Sequence, residues 1–267
     1  MRPVIALLLA PIVWMTACNS DDTGAGTGAG FSKSAIPVLS YTVAATYPHD
    51  TSSYTQGLEF YKGQLIEGTG NYGNSKLMHT DLATGREIRG ISLDSAFFGE
   101  GITILNDTLY QLTWKEKKVF VYTAQDFKKL GELTLDTEGW GLTNDGTNLI
   151  VTDGSNNLYF YNPSTFRLMR TQGVTEDGSP SVNLNELEYI NGYVYANQYM
   201  ISNYIFKIDP ASGQVVAKLD LTDLANRTRS AVPGANVLNG IAYNPETKKV
   251  YVTGKLWPQL YEIRFPL

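Results

Sequence analysis

The chain is poor in the residues that build metal and redox sites. It has one cysteine and two histidines in 267 residues. A lone Cys18 excludes an internal disulfide. Zinc sites need several His, Cys or carboxylate ligands at set spacings, and His49 and His79 are too isolated in sequence to form one. No metal and no cofactor is expected; His49, before Asp50, reads as a turn residue. Long apolar runs are also missing. The run Val4 to Trp14 falls short of the roughly 20 residues that a membrane-spanning helix requires. No extended 3.6-residue periodicity is present. The glycine pairs lack the strand-loop-helix setting of a phosphate loop, and no serine sits in a nucleophile-elbow motif. A net charge of −5 argues against a nucleic-acid partner.

What is present begins with Arg2, the short apolar run, and Met15-Thr16-Ala17 before Cys18. This is the order of a secretory signal peptide, here residues 1–17. Small residues directly before a cysteine resemble the bacterial lipobox, which implies lipidation of Cys18 and anchoring of the chain to a membrane of the cell envelope, periplasmic or at the cell surface. Residues 18–34, rich in Ser, Asp, Gly and Thr, read as a flexible tether. Residues 35–267 fit one domain, expected to be monomeric.

Five phrases recur along that domain: Gln56-Gly57-Leu58-Glu59-Phe60, Glu100-Gly101-Ile102-Thr103-Ile104, Trp140-Gly141-Leu142-Thr143-Asn144, Glu186-Leu187-Glu188-Tyr189 and Asn239-Gly240-Ile241-Ala242-Tyr243. Their spacing matches the period of a four-stranded propeller blade, about 40 to 50 residues. Each is followed by a turn of hairpin type, such as Lys62-Gly63 or Asn191-Gly192, and then by further alternating strands. The fifth unit ends at Leu267 after three strands, while Leu39 to Tyr47 forms an unassigned strand ahead of the first unit. The expected fold is therefore all-β, a five-bladed propeller whose last blade is closed by the N-terminal strand.

In a propeller the first strand of each blade lines the central channel, so alignment columns become rings. One column reads Gln56, Glu100, Trp140, Glu186 and Asn239, with Asn185 just before the fourth. The position after the second strands reads Gly70, Trp114, Gly154, Tyr199 and Lys255. Such divergence within a regular repeat suits a site built on a scaffold. Glu100, near Phe97, Phe98 and the tryptophans, is either an acid-base raised in pKa by desolvation or a carboxylate paired with Lys255. Trp114 and Trp140 either wall a pocket or pack blades together. Glu67, Glu186 and Glu188 either bind an ammonium group or complete a polar network.

These residues also resemble the plant and bacterial glutaminyl-peptide cyclotransferases. The resemblance runs from about Tyr47 to the C-terminus. It is carried by Pro48-His49-Asp50, Tyr54-Thr55-Gln56-Gly57-Leu58, Glu67-Gly68-Thr69-Gly70, Phe98-Gly99-Glu100-Gly101, Leu112-Thr113-Trp114-Lys115 and Glu138-Gly139-Trp140-Gly141-Leu142. Asp153-Gly154-Ser155, Asn185-Glu186-Leu187-Glu188, Ala196-Asn197 and Gly254-Lys255 complete it. It implies a five-bladed propeller that cyclises N-terminal glutamine of peptides or proteins to pyroglutamate with release of ammonia. It further implies Glu100 as the proton carrier, Asn185 and Lys255 as catalytic partners at the amide oxygen, and Gln56 and Trp140 in the pocket. Trp114, Glu67, Glu186 and Tyr199 are candidate substrate contacts. Tyr199 stands where the family usually has tryptophan, and Gly68 where serine is common. The competing reading is a non-catalytic propeller that binds a peptide or glycan at the same mouth.

Overall fold

The computed structural model describes residues 35–267. The expected signal peptide, Cys18 and the expected tether lie outside the described residues. Period-two alternation of apolar residues produces strands, and residues with positive φ in the turns, such as Lys62-Gly63 and Asn191-Gly192, reverse the chain tightly enough to make antiparallel meanders.

Blade one contains Thr55–Tyr61, Gln64–Thr69, Lys76–Thr80 and Glu87–Ser92. Blade two contains Gly99–Leu105, Thr108–Thr113, Lys118–Thr123 and Lys129–Thr134. Blade three contains Leu142–Asn144, Leu149–Val151, Asn157–Tyr161 and Leu168–Gly173. Blade four contains Leu184–Ile190, Tyr193–Gln198, Tyr204–Ile208 and Val215–Asp220. Blade five has Leu238–Asn244, Lys249–Gly254 and Gln259–Arg264 from the C-terminal end of the chain. Its fourth, outer strand is Thr42–Pro48, antiparallel to Gln259–Arg264. The expected closure is thus observed.

Two features were not anticipated. Val38–Leu39 pairs parallel with Val215–Asp220, so Leu39 belongs to blade four rather than blade five. The N-terminal segment therefore straddles two blades. A helix, Thr222–Ala231, fills the long gap between the fourth and fifth repeats and buries Leu224, Ala225 and Thr228.

The apolar core is divided among the seams between blades. Leu58, Phe60 and Leu65 of blade one meet Ala242, Tyr251 and Leu260 of blade five. Ile66 and Leu77 meet Ile102, Leu109 and Phe120 across the next seam. Leu112 and Val119 meet Leu142, Leu149 and Val151, and Ile150, Leu158 and Phe160 meet Leu184, Val194 and Phe206. The seam between blades four and five adds the helix and Trp257. Five buried clusters in cyclic order hold the ring without a disulfide, each fully buried Leu, Ile, Val or Phe contributing about 1.5–3 kcal/mol.

Carboxylates tie the inner strands together around the channel. Ile104 N donates to Glu59 Oε2 at 2.9 Å, Tyr243 N to Glu188 Oε1 at 2.6 Å, and Ile241 N to Glu186 Oε2 at 2.8 Å. Glu186 Oε1 also accepts from Leu58 N at 3.3 Å, so one side chain links blades four, five and one. Burial pushes the carboxyl of Glu59 up to about 8, and raises Glu186 and Glu188 well above the usual carboxylate range.

Candidate active site

The innermost strands of all five blades carry a bulge near the channel mouth. In blade two, Gly99 pairs with Thr113 and Ile102 with Gln111, leaving Glu100 and Gly101 opposite one residue. The same offset places Asn185-Glu186 opposite Asn197 and Asn239-Gly240 opposite Thr253. A register shift marks Gln56-Gly57 in blade one. In blade three Trp140 N donates to Thr152 O and Thr152 N to Gly141 O, which enclose Trp140-Gly141 in the same way. A bulge re-aims a side chain out of the regular alternation, and here it turns the first residue of each pair toward the mouth.

The ring at the mouth is therefore Gln56, Glu100, Trp140, Asn185 and Asn239. The internal repeat places Glu186 in this ring, one residue out of register. Glu186 instead occupies the second bulge position, which is glycine in the other four blades. Three of those glycines pack on a neighbouring backbone: a Cβ at Gly141 would lie 1.8 Å from Asn185 O, one at Gly101 2.5 Å from Leu142 N and one at Gly57 2.6 Å from Ile102 N, whereas at Gly240 it would meet the side chains of Leu58, Thr253 and Thr55. The Glu186 side chain runs into the channel, to the amides described above.

A cavity of about 160 Å³ opens at this mouth, lined by Tyr54, Gln56, Phe98, Glu100, Trp114, Trp140, Asn185 and Tyr199. Two glycines make room for its aromatic walls. A Cβ at Gly70 would meet the Phe98 ring at 2.2 Å, and one at Gly154 the Trp140 indole at 2.7 Å. Phe98 packs edge-on against Tyr54 and Trp114, and Tyr199 against Trp140.

Glu100 is buried in this wall, and its Oε2 has no hydrogen-bond partner among the described residues. Burial raises its pKa well above the usual carboxylate range. Lys255 opposes the shift, while Glu116 and Glu138 add to it. Asn185 is also buried, with Oδ1 unpartnered. Lys255 is not part of the lining but lies behind it. Its ammonium sits 4.6 Å from the ring centre of Tyr54 and 4.4 Å from that of Tyr199, in favourable cation–π contact. Burial brings Lys255 down to about 8, against the pull of Glu100. Acid and base are thus both moved toward neutral pH by desolvation.

Of the residues singled out from the sequence, Gln56, Glu100, Trp114, Trp140, Asn185 and Tyr199 meet in the cavity, with Lys255 directly behind. Glu67 and Glu186 do not reach it. Glu67 is buried, accepting from Thr55 Oγ1 at 2.7 Å and bonded to His49 Nε2 at 3.1 Å. His49, read as a turn residue, is buried too, with Nδ1 2.7 Å from Trp257 O. Burial alone would lower its pKa, but the charge and hydrogen bond of Glu67 and the Trp257 carbonyl outweigh that and raise it. This buried pair braces the turn that follows Lys255. Tyr54, which precedes the first strand at the same mouth, and Glu138 belong to the site without a role assigned by the repeat or the resemblance. Glu138 Oε2 accepts from Trp114 Nε1 at 2.8 Å and from Trp140 Nε1 at 3.3 Å.

A propeller mouth holding a desolvated carboxyl, a buried amine and amide groups inside aromatic walls has the make-up of an enzyme site for a small polar group. Comparison with known proteins agrees. The family model for glutamine cyclotransferase matches residues 11–265. A glutaminyl-peptide cyclotransferase of Arabidopsis thaliana is 38% identical over 226 residues, covering 83% of this chain and 70% of that protein. The crystal structure of Myxococcus xanthus glutaminyl cyclase aligns with a TM-score of 0.80 at 35% identity, over 86% of this chain and 98% of the other. The chain belongs to the glutamine cyclotransferase family.

Proposed function

We infer that this chain is a glutaminyl-peptide cyclotransferase in which Glu100 moves the proton. The observation that carries the assignment of roles is the buried Glu100 carboxyl, facing the cavity with Oε2 unpartnered. Cyclisation forms a bond between the α-amine nitrogen and the side-chain amide carbon of an N-terminal glutamine. It breaks the bond from that carbon to the amide nitrogen, which leaves as ammonia. One proton must leave the attacking amine and one must reach the departing nitrogen. A single carboxyl between the two nitrogens serves for both, most effectively when its pKa lies near the working pH. Burial of Glu100 acts in that direction.

Negative charge develops on the amide oxygen as the ring closes. Asn185 in the wall and the Lys255 ammonium behind it supply the fixed polarity that stabilises such an oxyanion. Gln56 and the aromatic walls hold the folded-back glutamine, whose amine and amide already share one molecule, so orientation is the main entropic requirement. The cavity is well below the roughly 300–1,000 Å³ of pockets that enclose drug-sized ligands. It suits one terminal residue, with the rest of the peptide outside.

The sequence of the leader supports export and lipid anchoring through Cys18, which would place the enzyme in the bacterial cell envelope, acting on peptides or proteins with N-terminal glutamine as a monomer. The decisive test of activity is incubation of the purified protein with a glutamine-starting dipeptide and measurement of ammonia release. Binding without ammonia would support the non-catalytic propeller instead.

A further inference from the structure

Resting on this reading of the site, we propose that Glu138 is a positioning residue whose single oxygen fixes both indole walls and whose charge, with that of Glu116, draws the substrate's α-ammonium to Glu100. Glu138 lies on the connection from blade two to blade three. Its Oε2 accepts both the Trp114 and the Trp140 indole N–H, so the two walls of the cavity are set by one atom. The backbone beneath it is held as well: Gly139 N donates to Trp114 O at 3.1 Å, and a Cβ at Gly139 would lie 2.5 Å from Thr113 O.

Glu116 reinforces the same rim from the turn inside blade two. It accepts from Phe98 N at 3.3 Å and from Tyr72 Oη at 2.8 Å. The charged and titratable groups around Glu100 among the described residues include Lys255 from blade five, Tyr54 and Tyr72 from blade one, Tyr199 from blade four, and the two rim carboxylates from blade two and its link to blade three. Lys115 lies 4.1 Å from the Trp114 ring centre. A free peptide N-terminus titrates near 7.7–8.0, so most substrate arrives as the ammonium. Two carboxylates at the rim attract it. They also oppose ionisation of Glu100, since a like charge nearby disfavours a second one.

Two substitutions test this. Glu138→Gln keeps an oxygen able to accept from both indoles and removes the charge. It should raise KM for a glutamine dipeptide about 2- to 5-fold, the scale of one partly solvated charge contact. It should also flatten the salt dependence of KM and move the acid limb of kcat/KM to lower pH, because Glu100 then loses a proton more readily. Glu138→Ala removes the acceptor too, and should lower kcat by on the order of tenfold or more and alter the near-ultraviolet circular dichroism of the indoles. Wild-type KM, salt response and acid limb in Glu138→Gln would overturn the proposal, as would wild-type kcat and dichroism in Glu138→Ala. Should Glu138→Ala fail to fold, Glu138→Gln decides, since a merely structural carboxylate leaves the acid limb and salt response unmoved. A wild-type protein inactive on glutamine peptides overturns the reading of the site instead.

Discussion

Replacing Glu100 by glutamine isolates the proton transfer. The side chain keeps its shape and can still donate and accept hydrogen bonds, but it cannot take a proton from the amine. General acid-base catalysis typically contributes about 10²- to 10⁴-fold, equivalent to roughly 2.7–5.4 kcal/mol of barrier at about 1.36 kcal/mol per decade. Turnover of Glu100→Gln should fall by that factor. KM should change less, because Gln56, Trp114, Trp140, Asn185 and Tyr199 still form the cavity. Stability supplies an independent reading. The Glu100 pKa is raised in the folded protein, so the native state holds this proton above the pH at which the unfolded chain releases it. Wild type consequently loses stability as pH rises through that interval, whereas the glutamine variant lacks this loss. Denaturant titrations at pH 4 and pH 8 should show the variant matching wild type at the lower pH and equalling or exceeding it at the higher. Ammonia release within a few-fold of wild type would refute the assignment of Glu100, and the rim carboxylates Glu116 and Glu138 would then be the next to test.

The Lys255 ammonium, brought down to about 8, should give kcat/KM an alkaline limb near that pH. Lys255→Arg, which stays charged, should shift that limb upward at reduced kcat; an unmoved limb would assign it elsewhere. Deleting residues 42–48 should expose the edge of Gln259–Arg264 and cause aggregation or a large drop in melting temperature. A monomeric deletion variant with unchanged melting temperature would contradict the closure. Cys18→Ala should release the protein from membranes or leave its leader uncleaved, as seen by fractionation, and a wild type found wholly in the soluble fraction would dismiss the lipid anchor.

The blades were legible because a hairpin turn and two alternating strands recur at blade spacing, and because the missing last strand pointed to Leu39–Tyr47. Their fine register was not. Glycine marks the bulge in four blades, but Glu186 takes that place in the fourth, so the landmark shifted by one residue and hid Asn185 from its ring. The helix Thr222–Ala231 was missed because it buries only Leu224, Ala225 and Thr228 and lacks a side-chain cap. A two-residue strand such as Val38–Leu39 carries no period to detect. In the site, Glu100, Trp140 and Lys255 could be placed from the repeat and the family resemblance. The roles of Glu67 and His49 depend on a pairing across strand and loop that spacing cannot show. The shared indole acceptor at Glu138 arises from two tryptophans brought together by different blades.

The closure of the ring also sets an order of events. Tyr47 bonds to Glu262 across 215 residues of chain, while most strand pairings within the blades join consecutive strands, that of Val38–Leu39 with Val215–Asp220 being the other exception. Contacts so distant along the sequence cost loop-closure entropy before they return any stability, and they form slowly. A chain synthesised from its N-terminus therefore makes Thr42–Pro48 long before its partner Gln259–Arg264. In the interval this strand has to remain unpaired without sticking to other chains. Its composition suits the wait: Thr42, Val43, Ala44 and Thr46 stay exposed even in the finished ring, and Pro48 ends the strand with no amide to donate. A strand made near the start waits for one made near the end, and their pairing shuts the ring that holds the site.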